Sequence, residues 1–270
     1  MRLEVLLSCM YETDDTLVRV SKITGDAIVI SQGDWEGYRE FGTKSGMARM
    51  FFSRERGLTK SRNMAIRESN GNICLLCDDD EVFVDGYEER ILEAYRKLPQ
   101  ADVIIFKMIN RTPSFPDKVR PLRFPQTMKV SSWQISFRRE RILEKGIWFD
   151  ELLGAGTGNG GEEELKFLTD CEKAALRIYY VPTEIAQVSQ TSSTWFNGFT
   201  ERFFENRGAT TRYILGLWVA SFYAVYYIVR KRRLYRQSLA PSAALKATFR
   251  GIRGNKIGKQ AKASPQKILL

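Results

Sequence analysis

Residues 73–77 form an unbroken apolar run, Ile-Cys-Leu-Leu-Cys, that ends in Asp78, Asp79 and Asp80. A run of that length without polar alternation suits a strand covered on both faces, the setting that α/β folds provide. Three adjacent carboxylates at its end repel one another unless a cation shares the site. Oxygen ligands favour Mg2+ or Mn2+, ions often held by one or two carboxylates with water and substrate phosphates completing the shell. In open α/β sheets ligands bind at the carboxyl ends of strands, where this cluster falls. The competing reading is a solvated acidic turn, since Asp is common where strands end.

The flanking pattern alternates strand and helix. Strands are predicted at 3–8, 27–31, 50–53, 73–77, 102–108, 131–137 and 177–181, and helices at 17–22, 60–69, 86–97, 140–145 and 162–175. This order implies a Rossmann-like, mainly parallel sheet flanked by helices. A nucleotide-binding half is expected over 1–110 and an acceptor half over 111–200, with prolines keeping 112–125 extended or looped. The glycine-rich stretch 154–161 opens into the helix that begins with Glu162, Glu163 and Glu164.

Composition narrows the chemistry. The 270 residues contain no histidine, which excludes His-based triads and the common zinc sites. Cys74 and Cys77 resemble a CxxC pair, but residues three apart on a strand face opposite ways, so both are expected to be core residues. No secretory leader is read in residues 1–15, and the body is expected in the cytosol. The net charge of +10 is uneven: residues 201–270 carry 15 Lys and Arg against 2 Glu, leaving the body mildly acidic.

Three segments in order, GLTKSRNMAIRESNGNICLLCDDD (57–80), FDELLGAGTGNGGEEELKFLTDC (149–171) and LRIYYVP (176–182), resemble bacterial glycosyltransferase family 2. The resemblance covers about 3–195 and implies a GT-A fold and an inverting transfer from a nucleotide-sugar donor, with Mn2+ or Mg2+ as cofactor. It makes Asp80 the direct metal ligand, with Asp78 as a second ligand or ribose contact and Asp79 beside the donor. It places Ser8, Cys9, Met10 and Tyr11 in the base pocket and Gln32 where many relatives carry an Asp that contacts uracil. That departure leaves the base open, although an amide also pairs with a base edge. Arg62 and Asn63 match the SRN signature, and the forked donors of Arg62 suit a phosphate or base.

Inverting transfer needs a carboxylate to take the acceptor hydroxyl's proton. The resemblance assigns Glu164 as that base and Glu163 as its neighbour. The plain alternative is a helix start whose carboxylates oppose the dipole. Relatives often carry a histidine near 187–194, and this chain has none, so no third protein ligand is assigned there. Trp133 and Trp195 are candidates for stacking on a sugar, against the plainer role of packing.

Residues 213–229 form an uncharged, aromatic-rich run followed by Arg230, Lys231, Arg232 and Arg233. It is short for a span, and a single crossing would export the body, so an interfacial or re-entrant helix is expected. Leu234, Tyr235, Leu239, Leu245 and Phe249 would extend its lipid contact, and the chain is expected to fray after Gly254. The tail 201–270 is thus read as a helical membrane-associating segment on the cytoplasmic face of a bacterial membrane, with an anionic membrane and not nucleic acid as partner. The acceptor expected is a glycan, lipid-linked and of the surface-polysaccharide type. The alternatives are a metal-dependent nucleotidyltransferase and a noncatalytic protein that binds membrane or nucleic acid.

Overall fold

The structure is a computed structural model, and it describes residues 1–111, 115–159, 161–189 and 198–263. Gln190, Thr194 and Trp195 lie outside the described residues, so the expectations placed on 190–195 are not carried further. The chain divides into two compact units, Met1–Phe149 with Glu164–Thr191, and Asp150–Glu163 with Ser192–Leu270. Where the sequence suggests one boundary near 200, the glycine-rich loop instead groups with the tail.

In the first unit the order is β1 (Leu3–Met10), α1 (Thr16–Val20), β2 (Asp26–Gln32), β3 (Gly37–Gly42), β4 (Met47–Ser53), α2 (Leu58–Glu68), β5 (Ile73–Asp78), β6 (Glu81–Phe83) and α3 (Tyr87–Lys97). It continues through β7 (Val103–Met108), β8 (Arg120–Leu122), β9 (Ile135–Arg138), α4 (Arg139–Glu144), α5 (Glu163–Lys173) and β10 (Ile178–Val188). The strands form one sheet in the order β3-β4-β2-β1-β5-β9-β7-β10-β6, with β8 paired to β10. β1, β2, β4 and β5 pair in parallel, as do β7 and β10, while β9 runs antiparallel between β5 and β7.

Side chains on β1 and β5 alternate between two apolar layers, as the strand period requires. Leu3, Val5, Leu7, Leu75 and Cys77 enter one layer, and Leu6, Cys74 and Leu76 the other. Cys74 and Cys77 are therefore buried free thiols on opposite faces. Parallel pairing aligns Ser8 of β1 with Asp78 of β5, bringing the carboxyl ends of both strands together.

The sequence reading differs from the structure at irregular strands. β3 is an exposed edge strand whose Arg39 and Glu40 hide its period, and β6 has only 3 residues. Residues 132–134 form a 3-10 turn before β9 begins, so the strand expected over 131–137 starts later. β10 runs on through Pro182 to Val188, with register shifts against β7 that accommodate the interruption.

Glu4 anchors the start of β1. Its carboxylate, 2% exposed, pairs with Arg49 at 2.9 Å and accepts bonds from Ser69 Oγ (2.6 Å) and the Asn70 and Gly71 N–H groups (2.7 and 2.9 Å). Burial pushes this carboxyl up, but the bonds from Ser69, Arg49, Asn70 and Gly71 outweigh it and the net shift is downward.

The second unit is helical: α6 (Glu201–Arg230), α7 (Arg232–Tyr235), α8 (Pro241–Gly254) and α9 (Lys256–Ala263). α9 replaces the frayed end expected after Gly254. α6 and α8 cross at glycines: a Cβ on Gly208 would collide with the Thr248 carbonyl, and one on Gly251 with the Glu205 carbonyl. α6 breaks at Gly216, where φ is 81°, so the uncharged run is not one straight helix. After the break Ala220 and Ala224 turn inward with Ile252, while Trp218 (75% exposed), Phe222 (76%), Tyr226 and Val229 line the opposite, open face. Tyr235, Leu239 and Leu245 do not extend that face; they pack with Phe204, and Phe249 packs against the Ala220 cluster. The whole of α6 is long and apolar enough to cross a membrane by length and composition, with a mean hydropathy of 1.3 in its best window.

Glu4→Ala should lower the unfolding free energy by about 3 kcal/mol near neutral pH, because it strands Arg49 and buried donors. The folded pKa is depressed, so the stabilisation is complete above the unfolded value near 4.5 and fades as pH falls through the lower folded value. Urea melts of both proteins at about pH 7 and pH 3 test this. A gap of equal size at both pH values would contradict it.

Candidate active site

The site is built where β1 and β5 end and where α2 and α5 begin. α2 starts at Leu58 behind Gly57, whose φ of 120° admits a turn that a side chain would strain. One turn later it carries Ser61, Arg62 and Asn63 inward. Ser61 and Ser8 join through their hydroxyls at 2.8 Å, tying α2 to β1.

Arg62 is the centre of this group and is 1% exposed. One guanidinium nitrogen bonds both Asp78 oxygens at 3.0 and 3.3 Å, and another bonds Glu164 Oε1 at 3.1 Å. The Phe149 ring lies beneath it at 5.3 Å. Ser132 Oγ donates to the second Asp78 oxygen at 2.7 Å. A buried guanidinium thus links a carboxylate at the end of β5 to a carboxylate in the first turn of α5. Burial pushes the Glu164 carboxyl up against the opposing pull of Arg62, and the net direction is upward.

Asp79 is exposed and Asp80 half-buried. Burial raises both carboxyls, and the charge of Asp78 raises them further, with Asp79 adding to the shift on Asp80. The Asp80 carbonyl accepts bonds from Ser189 N–H and Oγ at 2.7 and 3.0 Å, which fixes the backbone after the triplet. Among the described residues no group of three or more His, Cys, Asp or Glu side chains is arranged to hold an ion. The donor set suits a cation held by one or two carboxylates and completed by substrate oxygens. Asp78 is engaged by Arg62 and Ser132, whereas the bonds given for Asp80 are to its backbone carbonyl.

The other sequence candidates fall into two groups. Met10 and Tyr11 are exposed at the end of β1, and Tyr11 meets the edge of Trp35 at 6.3 Å with the Arg56 guanidinium 5.6 Å from its ring. Trp35 and Arg56 were not singled out by the sequence, since neither sits in a motif. Cys9, by contrast, faces the core, where its thiol donates to the Ile30 carbonyl at 3.6 Å and burial pushes it up to about 12. Gln32 is buried and gives its amide N–H to the Gly57 carbonyl at 3.2 Å. Asn63 forms a reciprocal pair with the Phe149 backbone, both bonds 2.9 Å, and so clamps α2 to the segment before the glycine-rich loop. Arg62, buried and paired, positions carboxylates in this structure; it does not present an open fork. Glu163 is also buried. Trp133 lies partly buried against the core, with Arg111 at 5.0 Å from its ring. Glu81, not anticipated, is buried directly after the triplet, and burial with the charges of Asp78 and Asp80 raises its carboxyl well above the usual range.

A sheet of this topology, with acidic side chains gathered at the ends of parallel strands, has the GT-A type of α/β architecture. The model of the family described as Glycosyl transferase family 2 matches residues 31–155, from the end of β2 through the acidic triplet into the glycine-rich loop. That match takes in just under half of the chain, and over it the chain is similar to the family. Among solved structures it is similar to S. aureus TarS 1-349 in complex with UDP-GlcNAc, at 15% identity and a TM-score of 0.56 over 88% of this chain and 74% of that one. The complex of the same TarS fragment with UDP gives 14% identity and a TM-score of 0.55 over 98% and 92% of the two chains. The longer S. aureus TarS chain is matched at 15% identity and a TM-score of 0.54 over 78% of this chain and 39% of that one. At such identity the likeness speaks for the fold. No curated protein matches the chain.

Proposed function

We propose that this protein transfers a sugar from a nucleotide-diphosphate donor, of the UDP type, to a hydroxyl of a glycan acceptor with inversion at the anomeric carbon. The observation that carries this reading is the Arg62 bridge, which brings a donor-side carboxylate, Asp78, and a base-side carboxylate, Glu164, onto one buried cation. The fold shared with TarS, whose structures include complexes with UDP and UDP-GlcNAc, supports the donor class.

Glu164 serves as the general base. It takes the proton of the acceptor hydroxyl as that oxygen bonds to the anomeric carbon and the bond to the nucleoside diphosphate breaks. Burial raises its affinity for a proton, and Arg62 holds one of its oxygens so that the other can face the acceptor. Asp80, with Asp78 or Asp79 beside it, would hold Mn2+ or Mg2+, which supplies Lewis-acid stabilisation to the departing diphosphate. Tyr11 and Trp35 give an aromatic edge for the base of the donor. A nucleotidyltransferase would leave Glu164 without a task.

The second unit holds the protein to the cytoplasmic face of a membrane, and the acceptor is lipid-linked. The helix after Gly216 spans residues 217–230, about 21 Å at 1.5 Å per residue. That is short of the roughly 30 Å hydrocarbon core, which favours an interfacial position. Its open face of Trp218, Phe222, Tyr226 and Val229, followed by Arg230, Lys231, Arg232 and Arg233, suits an anionic lipid surface.

Calorimetric titration with UDP and Mn2+ should give binding that Asp80→Ala abolishes, while Glu164→Gln binds UDP normally and lowers turnover by about 100-fold or more. Full turnover in Glu164→Gln would assign the base elsewhere, and normal binding in Asp80→Ala would refute the metal site. For the membrane, a Trp218→Glu, Phe222→Glu double variant should lose sedimentation with phosphatidylglycerol vesicles; undiminished sedimentation would remove the interfacial role.

A further inference from the structure

Within the second unit α6 folds back on itself. Arg207 donates to the Tyr223 hydroxyl at 2.7 Å and lies 4.1 Å from the Tyr227 ring, and the Phe204 and Tyr227 rings are 6.5 Å apart. In an unbroken helix residues 207 and 223 would stand about 24 Å apart at 1.5 Å per residue. The chain therefore reverses at Gly216, and residues 217–230 form an arm that lies beside 201–215. That arm packs Ala220 and Ala224 with Ile252 of α8 and leaves Trp218, Phe222, Tyr226 and Val229 open.

α8 carries a second open feature, a groove of about 750 Å3 lined by Leu245, Lys246, Phe249, Arg250, Arg253 and Gly254. Lys246, Arg250 and Arg253 follow an i, i+4, i+7 spacing, which sets three cations on one helix face within about 11 Å along the axis. Arg250 gives part of its charge to Glu201 at 3.4 Å and Glu205 at 3.2 Å. Lys246 and Arg253 make no ion pair or hydrogen bond among the described residues. The rest of the tail supplies no counter-charge, since 206–270 hold 14 Lys and Arg and no Asp or Glu. Phe249 joins the two features: it is a wall of the groove and packs against the Ala220 cluster of the arm.

Two cations without partners, a third shared one and the forked donors of arginine suit phosphate oxygens. Leu245 and Phe249 on the same wall suit hydrocarbon. A phospholipid at the rim of a bilayer presents both groups at once. Free phosphate would leave the apolar wall wet, and a nucleic acid would satisfy the cations while leaving the neighbouring face of Trp218, Phe222, Tyr226 and Val229 in water.

We propose that this groove is a headgroup subsite for an anionic phospholipid, resting on the membrane reading above and naming the lipid group that the tail grips. The phosphate sits between Lys246 and Arg253, and the first carbons of the acyl chains lie on Leu245 and Phe249. The arm 217–230 enters the interface while α8 holds a headgroup beside it, and two such attachments give firmer anchoring than either alone.

The test uses the full chain and sedimentation with phosphatidylcholine vesicles that contain graded amounts of phosphatidylglycerol. The double variant Lys246→Gln, Arg253→Gln should need about tenfold more lipid or greater for half-sedimentation. Lys259→Gln, Lys262→Gln, which removes the same charge from exposed positions of α9, should need less than about threefold more. Lys246→Arg, Arg253→Lys keeps both charges and should sediment as wild type does, with circular dichroism melts matched across all four proteins. Equal weakening in the groove and α9 variants, or weakening in the charge-keeping variant, overturns the subsite alone. Saturable binding of inorganic phosphate or a single-stranded oligonucleotide that is tighter than vesicle binding and lost in the groove variant gives the groove to that ligand and overturns the lipid. Absence of wild-type sedimentation at every phosphatidylglycerol content overturns the membrane reading, and the subsite with it.

Discussion

The Arg62 guanidinium sits between two carboxylates that are 86 residues apart in sequence. Removing a cation from water is expensive, and its burial persists because Asp78, Glu164 and the Phe149 ring together replace its solvent. The reverse dependence is equally strong. Without Arg62, two half-buried carboxylates would lose their shared counter-charge, and the start of α5 would lose its tie to the end of β5. Asn63 reinforces this from the next position by clamping Phe149, so residues 61–63 act as a joint between the strand ends and α5.

The second unit follows a similar economy. Gly208 and Gly251 let α6 and α8 approach at backbone distance, and that contact buries one face of the helix after Gly216 while leaving the aromatic face open. Arg207 reaches from α6 to Glu162 of the glycine-rich loop and to Tyr223 and Tyr227 beyond the break. A loop built of glycines gains a defined shape from polar anchors at its ends.

Much of this fold was legible in the chain because strands buried on both faces read as continuous apolar runs: β1, β2, β5 and β7 all do so. Strands without that burial were not. β3 is exposed and carries Arg39 and Glu40, and β10 continues past Pro182 by pairing locally with β6 and β7. At the site, the acidic triplet and the glutamate helix could be found from sequence because each sets three adjacent like charges directly after a distinctive run, one apolar and one rich in glycine. What each side chain touches depends on folding. Cys9 alternates into the core, Gln32 spends its amide on Gly57, and Arg62 meets a carboxylate that no local pattern connects to it. The exposed aromatic face was visible as an aromatic run, but the break at Gly216 and the inward turn of Tyr235 are consequences of helix packing.

The central claim is that one buried cation couples the end of β5 to the start of α5. A double-mutant cycle measures it directly, combining Arg62→Met with Glu164→Gln and, separately, with Asp78→Asn, and reading urea unfolding free energies. Both pairs should show coupling of about 1–3 kcal/mol, since each mutation removes a partner of the same guanidinium. Additivity within about 0.5 kcal/mol for both pairs would contradict the account.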